Sequence, residues 1–251
     1  MKELTKNDML KCLKALNDRM AKDNIHGEMI VFGGSALALA YGVRNATMDI
    51  DALYRPREDM NGAIFAVTKA KRLDSNWLND DIREFIGKGD AVFDYFPSSE
   101  YLSMSNLKVS VVDAEPLLAM KLVSARIDYA DMQDSVELMR HLNIESIDQV
   151  NDILNKYKGI YGDLADSNYA RNIIRGFVER AYAAYSDKYL HMKDQHDLND
   201  RATSSDGLRM ADWNALIKSE KGQVEPKDNA PHERHGARGN NRKSDSPNRE
   251  H

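Results

Sequence analysis

Leu10, Leu13, Leu16 and Met20 recur at helical spacing near the start of the chain, and Thr5 with Asp8 three residues later forms a capping box ahead of them. The pattern predicts an amphipathic helix to about Asp23. Gly27 closes the connection. Glu28 to Phe32 reads as a short buried strand, Ser35 to Tyr41 as an Ala/Leu helix, and Thr47 to Leu53 as a second strand. Met60 to Leu73 has a helical period, and the segment Trp77 to Phe85 follows. In it, Trp77, Leu78 and Asn79 ahead of Asp80-Asp81 read as a helix start with Trp77 in the core. Ala91 to Tyr95 and Leu107 to Val112 are rich in β-branched or aromatic residues and predict strands.

After Val112 the period turns helical over Glu115 to Ile127, Ala130 to His141, Ser146 to Lys156 and Asp166 to Tyr189, the last with Ile173, Ile174, Phe177, Val178 and Tyr182 along one side. The expected fold is α/β (α+β): a small mixed β-sheet core over 1–113, a helical region over 114–190, and a polar tail over 191–251. From Gly222 the tail has almost no apolar residue and is expected to be disordered, with one short helix at 208–217.

At 251 residues and 42% hydrophobic the chain can bury a sizeable core. A net charge of −5 argues against a chain-wide basic surface for nucleic acid, although Arg171, Arg175 and Arg180 offer a local basic face. Cys12 is the only cysteine, which excludes an intramolecular disulfide and a cysteine zinc cage and fits a reducing cytoplasm. The histidines form no zinc-binding spacing. The N-terminus is too charged for a signal peptide, and no apolar run approaches the roughly 18 residues of a membrane span, so no membrane role is expected.

The stretch VFGGSALALAYGVRNATMDIDALY, Val31 to Tyr54, carries the chemistry. A strand that ends in Gly33-Gly34-Ser35 and enters a helix lets backbone approach a phosphate, points N–H groups at it and sets it at the positive end of the helix dipole; Ser35 adds a hydroxyl donor. The bland alternative is a tight turn. Asp49 and Asp51, two apart on a strand, share a face while Ile50 turns to the core. Two like charges on a half-buried strand are costly unless a cation sits between them, and Mg²⁺ suits such a pair. The alternative is a strand edge with two solvated acids.

Gly33-Gly34-Ser35 followed by Arg44, Thr47, Asp49, Ile50 and Asp51 resembles the signature of the DNA polymerase β-like nucleotidyltransferase superfamily. EPLLAMKLVSARIDYADMQDSVELMRHLNI, Glu115 to Ile144, is similar to the second block of its AbiEii-like branch, associated with toxin–antitoxin and abortive-infection systems. The resemblance covers about Met29 to Ile144. It implies that Gly33, Gly34 and Ser35 hold a triphosphate with Arg44 and Thr47 beside it, that Asp49 and Asp51 hold one or two Mg²⁺ ions, that Lys121 contacts phosphate, and that Asp131 completes the acidic cluster. Asp134 lies on the same helical side as Asp131, and spacing does not rank the two. Lys121 follows the apolar run LLAM, so a helix can aim it at the open end of the sheet; the alternative is a snorkelling surface lysine. Arg126 and Asp128 read equally as a surface pair.

Many such enzymes place a third carboxylate on a later strand. Asp94, inside AVFDYF, is the candidate; Asp113 reads better as a helix cap. The implied activity is Mg²⁺-dependent transfer of a nucleoside monophosphate from a nucleoside triphosphate to an acceptor hydroxyl. The implied role is a toxin acting on RNA such as tRNA, with an antitoxin partner. The alternatives are modification of a protein or an antibiotic, or a non-catalytic nucleotide-binding or antitoxin-like protein of the same fold.

Overall fold

The Thr5 hydroxyl accepts from the Asp8 N–H while the Asp8 carboxylate takes the Thr5 N–H, so helix α1 (Lys6–Lys22) begins where the capping box sets it. The computed structural model describes residues 3–86, 92–124, 129–159 and 168–190. α1 buries Met9, Leu10, Leu13, Leu16 and Met20 and packs on α3 (Arg57–Lys71).

Among the described residues the main sheet has five strands: β5 (Leu78–Asn79), β4 (Ile50–Arg55), β2 (Gly27–Val31), β7 (Leu107–Val112) and β6 (Ser98–Ser103), in that spatial order. β2 runs antiparallel to β4 and parallel to β7, with Val31 opposite Ala52 on one side and Val111 on the other. This central strand reads GEMIV and is buried along its second half, as a strand covered on both faces requires. A separate two-strand ladder joins β1 (Leu4–Thr5) to β3 (Ala46–Thr47). The fold is thus mixed α/β, as expected.

Four expectations are corrected. The strand expected from Thr47 to Leu53 is interrupted: the chain bends at Met48 and Asp49 between β3 and β4, so Asp49 precedes the strand while Asp51 lies on it. Asp is disfavoured in strands, and the bend removes one of the two from the ladder. The strand expected at Ala91 to Tyr95 is, from Val92 to Tyr95, the single helical turn α5. The pairing with β7 falls to Ser98–Ser103, where a register irregularity lets Tyr101 and Leu102 both be buried. Phe96 packs edge-on against Phe32, 5.1 Å between centroids, so the aromatic run supplies a plug beneath the sheet end.

Trp77 is buried as expected, with its indole N–H on the Thr68 hydroxyl at 2.9 Å, but it does not start a helix. Its carbonyl accepts from the Ile50 N–H at 2.8 Å, which draws Leu78–Asn79 into the sheet edge parallel to Ile50–Asp51 and delays helix α4 to Ile82–Ile86. On α9 (Asn168–Tyr185) the buried side is Phe177, Val178, Ala181 and Tyr185, and Ile173 faces outward.

α6 (Ala114–Ser124) leaves β7 directly, and α7 (Tyr129–His141), α8 (Ile147–Tyr157) and α9 pack around it. One continuous apolar cluster runs from α1 to α9. Arg126, Asp128, the end of the helix expected to Ile127, the tail and the helix expected at 208–217 lie outside the described residues. Among those described, no helix is long and apolar enough to cross a membrane.

Candidate active site

Gly33 and Gly34 stand where β2 gives way to the short helix α2 (Gly33–Ala36), and what lies against them explains both. Gly33 has φ +57°, a conformation side chains resist, and a Cβ there would meet Asp51 Oδ2 at 2.7 Å. A Cβ on Gly34 would meet Thr47 Oγ1 at 2.9 Å and Arg44 Nη1 at 3.0 Å. The turn is therefore bare backbone pressed between a carboxylate and a guanidinium. Ser35 departs from the expectation. Its hydroxyl is fully buried and donates to the Phe32 carbonyl at 2.7 Å, so it holds the turn's shape and faces away from the cleft.

A cleft of about 520 Å³ opens here, and Gly33, Gly34, Arg44, Thr47, Asp49 and Asp51 contribute to its first wall. Burial pushes the Asp51 carboxyl up to about 6, and the neighbouring Asp49 charge adds to the rise. Asp49 is raised as well, chiefly by burial. Asn79 and Asp81 complete this wall's polar set, and neither was anticipated. The Asn79 carboxamide donates to Asp49 at 3.1 Å, its oxygen takes the Asp81 N–H at 3.1 Å, and the Asp81 charge bears on both aspartates. Their signal in the sequence is the acid and amide that follow the buried Trp77-Leu78, but it is meaningful only once β5 is known to lie beside β4.

Among the described residues no three acidic, histidine or cysteine side chains cluster closely enough to enclose a metal by themselves. The pair still fits Mg²⁺. Its donors are all oxygen, its two neighbouring carboxylates are half-buried at the cleft, and Mg²⁺ characteristically takes few protein ligands and keeps water and phosphate oxygens.

The second wall comes from α6 and α7. The Lys121 ammonium donates to Asp131 at 2.6 Å and lies 2.9 Å from Asp134, with only 13% of its side chain exposed, which rules out a snorkelling lysine. Lys121 lines the cleft, and its charge works against the rise at Asp51. Asp131 lines the same cleft as Asp49 and Asp51, and there it is Lys121's buried counter-ion and also accepts from Ser124 at 3.3 Å. Asp134 has a different task, gripping Arg44 through two hydrogen bonds of 2.8 and 2.6 Å. With Nε and Nη2 so held, Nη1 is the guanidinium nitrogen that lies over Gly34.

Asp94 is corrected as the third carboxylate. It is exposed on α5 and sits 3.4 Å from Arg55, at the opposite end of β4 from Asp51. The Asp113 carbonyl starts the α6 ladder by accepting from the Leu117 N–H, and its carboxylate accepts from Ser99 at 2.7 Å. Arg171 and Arg175 line a separate groove of about 270 Å³ with Lys158, away from these residues.

Residues 8–190, a span that takes in both walls of the cleft, match the model of a protein family described as nucleotidyltransferase of unknown function (DUF6036). No curated protein and no solved structure matches the chain.

Proposed function

Because the chain belongs to this family of nucleotidyltransferases of unknown function, we propose that it transfers a nucleoside monophosphate from a nucleoside triphosphate to an acceptor hydroxyl in this cleft, with Asp49 and Asp51 holding Mg²⁺. The observation that carries the reading is the side-chain-free turn at Gly33-Gly34 facing a buried carboxylate, with Asp51 Oδ2 only 2.7 Å from where a Gly33 Cβ would stand. That proximity supports a reading in which the substrate phosphate and the metal lie side by side.

The acceptor oxygen forms a bond to the α-phosphorus as the bond to the departing pyrophosphate breaks. Gly33 and Gly34 admit the phosphates close to the backbone, and Arg44 and Lys121 offset their charge from either side. Asp81, exposed at the cleft and beside the aspartate pair, takes the proton of the acceptor hydroxyl. Bound Mg²⁺ supplies Lewis-acid polarisation and charge neutralisation at the phosphoryl group. The rest of the catalysis is positioning. In the finer reading the acceptor is RNA, tRNA for example, and the enzyme is a toxin restrained by an antitoxin. That reading rests on the likeness of Glu115 to Ile144 to the AbiEii-like block; the family match supports the transfer chemistry without selecting the branch.

Incubation with each labelled nucleoside triphosphate, Mg²⁺ and either total RNA or a protein extract is expected to label the RNA pool. Label in protein or small molecules alone would discard the RNA acceptor, and label in no pool would discard the transfer reaction. Asp81→Asn is expected to slow transfer by roughly 10²- to 10⁴-fold, the range for a general base, with nucleotide binding retained. An unchanged rate removes Asp81 from the mechanism. Gly33→Ala combines a left-handed backbone penalty of about 1–2 kcal/mol with displacement of Asp51. Urea melts should therefore shift by that amount while transfer is lost; full activity in this variant would contradict the close approach of turn and carboxylate.

A further inference from the structure

A second cavity, about 480 Å³, lies next to the cleft between α1, the bend at Met48 and the chain leaving α3. Glu3 and Met48 line both cavities, so the two spaces adjoin along a shared wall. Lys11, Lys71 and Arg72 surround this second space, and all three are exposed. Among the described residues none of their side chains has an ion-pair or hydrogen-bond partner. The contrast with the cleft is informative, because there Arg44 and Lys121 are both tied to carboxylates.

Acids are present at the rim, but two are engaged locally: Asp8 in the α1 capping box and Asp74 with the Asn76 N–H at 3.0 Å. Lys71 and the buried Cys12 both line this cavity. Leu4, Leu73 and Met48, the last 43% exposed, give the interior an apolar side. Unpaired cations at the rim and an apolar interior, in a space the size of one nucleotide, match a phosphate joined to a flat base.

We propose that this cavity binds the nucleotide next to the end of a single-stranded nucleic-acid acceptor, with Lys11, Lys71 and Arg72 on its backbone phosphates and the terminal hydroxyl reaching into the cleft. The proposal rests on the transferase reading of the cleft and assigns its acceptor side. It also resolves a charge problem. Asp49, Asp51 and Asp81 repel a polyanion, so a strand needs cations at the point where it enters. A sugar–phosphate backbone ending in a free hydroxyl is common to RNA and DNA, and the two are told apart by experiment.

The test uses the full chain, a short fluorescein-labelled oligoribonucleotide and its deoxy counterpart, and anisotropy titrations over a series of salt concentrations. Lys11→Gln/Lys71→Gln/Arg72→Gln is expected to weaken binding by roughly 10- to 100-fold. It should also flatten the log–log salt dependence by roughly 2, since each lost single-strand phosphate contact removes about 0.7. The melting temperature and the thermal shift caused by nucleoside triphosphate with Mg²⁺ should stay at wild-type values. Lys158→Gln/Arg175→Gln, in the α8/α9 groove, should change nothing. Preference for the ribo- or deoxy-strand names the acceptor. The proposal is overturned if the triple variant binds either strand as the wild type does, if only the α8/α9 variant loses binding, or if poly-glutamate competes as well as the oligonucleotide. Absence of any nucleotide-induced thermal shift in the wild type counts against the cleft reading and is observed separately from strand binding.

Discussion

Asp51→Asn is expected to abolish transfer and, in metal-free buffer at about pH 7.5, to make the protein more stable. Burial lifts the Asp51 carboxyl from its ordinary 3.8 to about 6, so the fold favours the protonated form. Below 3.8 the group is neutral in folded and unfolded chains alike and costs nothing. As pH rises from there to about 6 the unfolded chain gives up its proton first, the native state holds more protons, and stability falls. Above about 6 the penalty is complete, at most about 3 kcal/mol for a shift of this size. Asparagine carries no charge at any of these values. The variant should therefore melt several degrees higher than wild type at about pH 7.5 and at the same temperature near pH 3.5. Added Mg²⁺ should raise the wild-type melting temperature and leave the variant's unchanged. A difference between the two proteins that ignores pH would refute the burial argument, and near-normal transfer would remove Asp51 from the metal site.

Lys121→Ala is expected to do the reverse, losing activity and stability together. The ammonium stands between Asp131 and Asp134, whose side chains are 8% and 3% exposed, and its removal takes the shared cation from two buried carboxylates. Orphaning a buried charge costs about 3–5 kcal/mol, and Asp134, which keeps Arg44, argues for the lower end. Stability alone cannot assign a catalytic role, so the informative variant is Lys121→Met/Asp131→Asn, which removes both charges. It should recover most of the lost stability in urea titrations. It should not recover transfer, which stays down by roughly 10- to 150-fold for want of a charge-assisted phosphate contact. Recovery of both would make Lys121 a structural residue and leave the glycine turn and Asp51 as the working parts of the cleft.

These partnerships show where sequence reading succeeds. The capping box, the glycine turn and Asp51 are local: each is decided by residues within a few positions, and the period of the chain places them. Lys121 was legible because an apolar run orients a helix. What Lys121 touches was not, since Asp131 lies ten residues away on another helix and Arg44 meets Asp134 across ninety. Nothing in the strand pattern around Asp49 distinguishes a continuous strand from a bend. The aromatic run at Ala91 to Tyr95 suits a strand or a helical turn equally, and in the structure Ser98–Ser103 takes the β7 edge while Val92–Tyr95 forms the turn. Asn79 and Asp81 gain meaning only from a parallel pairing between Leu78-Asn79 and Ile50-Asp51. Ser35 has the right position for a phosphate donor and the wrong rotamer, its hydroxyl already given to Phe32.

The short ladder between Leu4–Thr5 and Ala46–Thr47 has a practical consequence for handling this protein. Thr5 caps α1, exchanges hydrogen bonds with Asp8 and faces Ala46, only three residues before Asp49. A deletion through Thr5 is expected to remove that ladder and let Asp49 drift, and the preparation would read as inactive for a reason unrelated to its chemistry. An N-terminal boundary chosen for expression therefore belongs ahead of Leu4, so that both strands of the ladder are kept.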